Sequence, residues 1–279
     1  MLTRDGYPLG VPCWIDTAQP DPEAAARFYR GVFGWELEER MPPETPGSYL
    51  VARLEGCDVA AVGSQQAPRA PVWTTYVRVG DADAAAQRAR AAGGTVLAEP
   101  FDVLAAGRMA VLADPAGAEL AVWQAGEQRG AQLVNAPGTW NWSTLASTDL
   151  DGAVAFYGAV FGWKGDRVDL GFGESVMWRV PGYGDALAAR DPDVRRRHAE
   201  AGAPAGFTDA VGWLVPTSDG ASHWDVTFSV ADTDAVVARA EELGGEVVVA
   251  PYDAGPVRAA SLRDPQGAPF DVNAYTPPA

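Results

Sequence analysis

The chain has 279 residues, 47% of them apolar, and a formal net charge of −16. That acidity excludes nucleic acid and anionic membranes as partners, since both need basic patches. No stretch approaches the roughly 18 apolar residues of a membrane span, and residues 1–10 lack the basic-then-apolar layout of a signal peptide, so a cytoplasmic protein is expected.

In chain order, residues 11–17 read as a strand. Asp21-Pro22 then supplies an N-cap and a proline at the first helical position. Ala25, Phe28, Tyr29, Val32 and Phe33 follow at helical spacing, and Gly34 ends the helix. Residues 49–54 and 59–62 read as strands about a turn at Gly56. A second unit repeats this order: strand 73–79, helix 83–92, a Gly93-Gly94 stop, and strands 95–98, 109–113 and 119–124. Asp114-Pro115-Ala116-Gly117 is a hairpin-type turn before the last strand. Residues 125–139 have few large apolar side chains and read as a linker. Further helices fall at 152–161 and 234–243.

The second half restates the first. Phe28-Tyr29-Arg30-Gly31-Val32-Phe33-Gly34-Trp35 returns as Phe156-Tyr157-Gly158-Ala159-Val160-Phe161-Gly162-Trp163, an offset of 128 residues. Gly93-Gly94 returns as Gly244-Gly245, and Asp114-Pro115-Ala116-Gly117 as Asp264-Pro265-Gln266-Gly267. A repeat this long divides the chain into domains at 1–124 and 140–279, each able to bury a core. The later matches have gained about 23 residues, placing an insertion at about 181–207. Within it, Asp191 to Glu200 reads as a capped, exposed helix, and Arg195-Arg196-Arg197 as a solvated face. An insertion in one copy only suits a lid or a contact surface. Cys13 and Cys57 fit no metal or redox spacing and read as buried thiols.

The paired helix, the Asp-x-Asp helix start with its later Gly-Gly, and the Asp-Pro-x-Gly turn resemble the vicinal oxygen chelate superfamily. That superfamily includes glyoxalases, bleomycin-resistance proteins and extradiol dioxygenases. The look is that of its tandem two-domain members common in actinomycetes. The resemblance implies an α+β fold of two tandem glyoxalase-like domains. Each would hold two paired βαβββ modules that form a cupped sheet with helices outside. It also implies where metal ligands would stand: two histidines and a glutamate at three positions per domain. The first domain has Trp14, Thr74 and Ala121 there, which are unsuited to a metal. The second has Trp142, Asp225 and Asp271, whose carboxylates suit either a hard cation or acid–base work. No metal and no cofactor is expected. His223, two residues before Asp225, shares its strand face and is expected near the strand's edge, which leaves little material for imidazole-based metal chemistry.

If those positions face inward, strand alternation adds their neighbours two residues away. The first cup then gains Asp16, Tyr76, Arg78, Glu119 and Trp123, with Arg78 and Glu119 free to pair. The second gains Trp140, Thr144, Thr227, Ser229, Asn273 and Tyr275. Trp14 and Trp142 could instead fill the space of an absent metal and close each cup into core. Aromatic walls with a few polar groups are the usual build of a pocket for flat, greasy ligands. The reading favoured is therefore sequestration or sensing of a hydrophobic or aromatic small molecule by Trp14, Asp16, Tyr76, Trp123, Trp140, Trp142, Thr144, Asn273 and Tyr275. Three others stand beside it. One is a metal-independent isomerase, cyclase or lyase acting on a natural-product intermediate through Asp225 and Asp271. Another is a divergent metal-dependent lyase or dioxygenase. The last is a purely structural or partner-binding role. Exposed sheet edges often pair in the family that the chain resembles, so the resemblance leaves a homodimer open.

Overall fold

The computed structural model describes residues 3–66, 68–169, 174–218 and 220–276. The first half runs β1 (Pro12–Gln19), α1 (Pro22–Phe33), β2 (Glu36–Glu39), β3 (Tyr49–Leu54), β4 (Cys57–Ser64), β5 (Trp73–Arg78), α2 (Ala82–Ala91), β6 (Thr95–Val103), β7 (Gly107–Ala113) and β8 (Glu119–Ala125). The second half follows the same order. It has β9 (Thr139–Ser147), α3 (Leu150–Phe161), β10 (Lys164–Asp169), β11 (Glu174–Arg179), α4 (Tyr183–Ala188), α5 (Val194–Glu200), β12 (Ala210–Pro216), β13 (His223–Ser229), α6 (Thr233–Glu242), β14 (Glu246–Ala254), β15 (Val257–Arg263) and β16 (Pro269–Tyr275). Among the described residues, only α4, α5 and the short 3-10 turn Phe207–Asp209 have no counterpart in the first half.

Local chemistry explains the four repeated helices. Asp21, Asp81, Asp149 and Asp232 each accept a hydrogen bond from the backbone N–H three residues on, satisfying a donor the helix would leave bare. Gly34 and Gly162 close α1 and α3 in the left-handed conformation, at φ 74° and 75°. The expected cap in the insertion is not formed, since Asp193 precedes α5 without a side-chain cap bond. Its three arginines are instead paired with acids: Arg195 with Asp185, Arg196 with Glu200, and Arg197 with Asp191.

Each half is one eight-stranded sheet, in the order β2-β3-β4-β1-β5-β8-β7-β6 and, equivalently, β10-β11-β12-β9-β13-β16-β15-β14. The two modules of a half join through the antiparallel pairs β1–β5 and β9–β13. The expected α+β architecture of two tandem domains is what forms.

The four repeated helices lie between the two sheets, each with one face exposed. α1 packs on α6 and α2 on α3, so the two sheets meet helix side to helix side. Both large cores are shared between halves. One joins Val77, Ala85, Leu112 and Leu120 to Phe156, Tyr157 and Trp178; the other joins Phe28, Tyr29, Phe33 and Trp35 to Phe228, Leu262 and Phe270.

The repeated motifs meet across this seam. The Tyr29 hydroxyl donates to Asp264 at 2.9 Å, and Tyr157 donates to Asp114 at 3.2 Å. Trp73 and Trp224 each donate to those tyrosine oxygens at 3.0 Å. Trp35 donates to the Gly138 carbonyl at 2.7 Å, and Trp163 to that of Gly10 at 2.6 Å. A Cβ on Gly94 would stand 2.5 Å from the Phe156 ring, and one on Gly245 3.1 Å from Phe28. The Gly-Gly stop thus makes room for a ring from the opposite half as well as ending a helix. Residues 126–138 are anchored too, with Ala131, Leu133 and Ala136 buried.

Candidate functional site

A bulge at the start of each central strand decides what faces each cup. The ladder slips between Pro12 and Trp14 in β1 and between Trp142 and Trp140 in β9, so Cys13 and Asn141 are the extra residues. Strict alternation misses this. It places Trp140 in the second cup, whereas Trp140 packs in the shared core beside Phe33 and Phe228 and donates to Ser143 at 3.2 Å. Asn141 turns to the cup instead and donates to Asn273 at 2.9 Å. Cys13 joins the cluster inside the first cup, where burial pushes its thiol up to about 12. Cys57 is only partly buried.

In the first cup, Trp14, Tyr76, Ala121 and Trp123 pack with Cys13, Val51, Ala61 and Ala131 into a third apolar cluster. Trp14 is 5% exposed, and its indole N–H donates to the Tyr49 hydroxyl at 3.0 Å. Tyr49 and Tyr76 both donate to one Asp16 oxygen, at 3.0 and 2.7 Å. Burial pushes Asp16 up to about 6, against the pull of those two bonds. The Trp123 N–H is used by the Gln128 carbonyl at 2.8 Å. The tryptophan end of this cup is closed. A cavity of about 300 Å³ remains at its other end, bordered by Asp16, Tyr49, Thr74 and Tyr76. Glu119 pairs with Arg69 at 2.9 Å rather than with Arg78, which donates to the carbonyls of Val79 and Trp123.

The second cup is open where the first is closed. Trp142 stacks on Phe207 of the insertion, with centroids 5.8 Å apart and rings 10° from parallel, and lies 6.0 Å from Trp213 on β12. The His198 ring meets the Phe207 face edge-on at 5.0 Å. The Trp142 indole N–H is buried and has no hydrogen-bond partner among the described residues. Trp178 has an unpaired N–H as well, but within the shared core. Trp142, Phe207 and His198 border a cavity of about 800 Å³. Its remaining walls come from the N-terminal segment, residues 133–136, α4 and α5, with Trp140 also at its edge.

The paired carboxylates occupy a different part of this sheet. Register puts Thr144 beside Asp225 and Thr227 beside Asp271, all on the cup face, yet neither aspartate borders the large cavity. His223 Nε2 lies 3.4 Å from Asp225, and that contact raises the imidazole to about 9. Asp271 accepts from the Ser261 hydroxyl at 2.6 Å; burial, and then Asp225, push it up to about 6. Tyr275 is 54% exposed at the end of β16.

These side chains do not fit the resemblance's metal set. The first position of each half is a packed tryptophan, and among the described residues no three His, Cys, Asp or Glu side chains are placed to hold a metal ion. Sequence reasoning also missed Tyr49, Phe207 and Trp213. The first comes from a strand carrying no family position, and Phe207 from the unrepeated insertion. Alternation on the partner strand of Thr144 would have found Trp213.

Residues 14–122 match the family model of the Glyoxalase/Bleomycin resistance protein/Dioxygenase superfamily, and residues 142–273 match a glyoxalase-like domain. The chain therefore belongs to the glyoxalase/bleomycin-resistance/dioxygenase superfamily. Within it, the chain is 37% identical over 278 residues to "Putative glyoxylase CFP32" of Mycobacterium tuberculosis, spanning 98% of this chain and 97% of that protein. It is also 37% identical over 286 residues to the anthracycline biosynthesis protein DnrV of Streptomyces peucetius, spanning 97% and 94%. Among solved structures, the Mn(II)-bound glyoxalase of Novosphingobium aromaticivorans shares the fold, with TM-score 0.58, 15% identity, and 98% and 83% coverage.

Proposed function

We propose that this protein binds a planar, largely apolar aromatic small molecule in the cavity beside Trp142, and captures or presents it without changing it. The observation that carries this reading is the Trp142 wall. A ring stacked on Phe207 and flanked by Trp213 borders a space of about 800 Å³, while its N–H waits for an acceptor. Such a wall is the ordinary way to hold a flat ring system. A relative named for anthracycline biosynthesis supports a fused-ring ligand. Neither metal nor cofactor takes part in this reading, and a cytoplasmic location suits it. No described helix is long and apolar enough to cross a membrane.

A second reading draws on Asp271, held up near pH 6 beside Asp225. Such a pair can share proton donation and acceptance in an isomerase or lyase reaction. One experiment separates the two. The protein is titrated with a fused-ring quinone while tryptophan emission is followed, and the quinone is then recovered and analysed. Binding predicts quenching and unchanged quinone, with affinity reduced about tenfold or more in Trp142→Ala. Undiminished affinity in that variant sinks the proposal. Turnover lost in both Asp225→Asn and Asp271→Asn favours the enzyme.

A further inference from the structure

Two donor groups at the large cavity are short of acceptors among the described residues: the Arg4 guanidinium, which has one, and the Trp142 N–H, which has none. We infer that the cavity selects aromatic ligands carrying a negatively charged oxygen group, which Arg4 receives, with a second acceptor such as a ring carbonyl at the Trp142 N–H. This rests on the reading of the cavity as a ligand site.

Three arginines border the cavity. Arg190 pairs with Asp5, and Arg197 pairs with Asp191. Arg4 has no carboxylate within ion-pairing distance among the described residues, in a chain with 37 acidic side chains against 21 basic ones. Among the described residues its side chain makes one hydrogen bond, from Nη1 to the Tyr183 hydroxyl at 2.8 Å, although a guanidinium offers five N–H donors. The group is held rather than loose. Its carbon stands 5.0 Å from the Tyr7 ring centre and 5.9 Å from that of Tyr183. The Arg4 backbone N–H donates to the Gln132 carbonyl at 2.7 Å, and Tyr7 is pinned to the Ala131 carbonyl at 2.7 Å. A partly buried cation without a counter-ion is costly to keep, and an incoming anion relieves that cost. Fixing the fork beforehand lowers the ordering cost of binding.

The neighbouring groups do not compete for this role. Burial lowers the His198 imidazole, and its Nδ1 is already engaged with the Thr208 hydroxyl at 3.1 Å. Nor does Trp142 carry charge. An anion entering this space therefore finds an unneutralised cation and an unspent neutral donor on the lining of one cavity, among aromatic side chains. Fused-ring acids and phenolates present that combination.

The test uses the full chain and two probes of equal shape, anthraquinone-2-carboxylate and anthraquinone-2-carboxamide, titrated by tryptophan quenching. The carboxylate is expected to bind about tenfold or more tightly, with added salt weakening only the carboxylate. Arg4→Met should erase the gap and leave the carboxamide unchanged; Arg4→Lys should retain part of it. Equal affinities in the unsubstituted protein, or a gap that survives in Arg4→Met, overturn this inference and leave the aromatic site standing. Failure of both probes to bind overturns both. The unsubstituted comparison and its salt dependence decide the matter even if Arg4→Met does not fold.

Discussion

Trp14 and Trp142 stand 128 residues apart at the same register of two similarly folded sheets, and their surroundings differ. Trp14 is sealed in, its N–H spent on Tyr49 and the space around it filled by Tyr76, Trp123 and the linker residue Ala131. Trp142 is stacked on an inserted ring and borders open space with its N–H unspent. One scaffold position thus serves as filler in one half and as wall in the other. What separates them is partly the sheet's own side chains, since Thr227 and Asn273 stand where the first sheet has Tyr76 and Trp123, and partly the segments around it.

The sharpest way to break this comparison is to delete each ring. Trp14→Ala should cost about 3–5 kcal/mol in urea unfolding and leave ligand affinity nearly intact. Trp142→Ala should show the reverse, losing affinity while costing less stability. Equal stability losses would mean that Trp142 is core as well.

A smaller effect tests the seam between halves. Tyr157→Phe strips Asp114 Oδ2 of its tyrosine donor, whereas Asp264 keeps Gln19 at 2.8 Å when Tyr29→Phe is made. Tyr157→Phe should therefore destabilise more, by about 1–3 kcal/mol, in a single cooperative transition for the whole chain. Two separate transitions would show that the cores are not shared in energy.

The smallest effect concerns pH. Asp16 and Asp271 both stand near 6 in the folded state, above their unfolded value of about 3.8. Each therefore adds stability that is full below about pH 3.8 and lost as pH rises through about 6. Asp16→Asn or Asp271→Asn should flatten that fall. The second cup adds a window that the first lacks. His223 is raised to about 9 by Asp225, so its contribution is full below about 6.5 and fades as pH rises through about 9. Half its side chain is exposed, so solvent screening keeps that contribution small. Urea midpoints between pH 4 and 10 check both windows; Asp225→Asn should remove the upper one and, by taking its charge away from Asp271, narrow the lower one.

Most of the fold was legible because its signals are local and occur twice. Aspartate caps, αL glycines, the Phe-Tyr face and the Asp-Pro-x-Gly turn each carry their structural meaning within a few residues. Their second purpose was not legible, because Tyr29 meets Asp264 only across 235 residues. The site was legible in part. Trp142 followed from its family position, but the bulge at Asn141 reversed the direction of Trp140, and nothing in the alternation announces an extra residue. Phe207, Arg4 and Tyr183 come from unrepeated segments, where comparing one half with the other has nothing to compare.

The shared cores also bear on how such a chain is free to change. Two separate copies meeting through this seam would be bound by symmetry, each substitution appearing on both sides at once. Covalent fusion lifts that rule. Tyr29–Asp264 and Tyr157–Asp114 can be kept as a matched pair, while one half surrenders its cup to packing and the other takes on an inserted wall. Asymmetry of this kind is open to a tandem chain and closed to a homodimer of one domain.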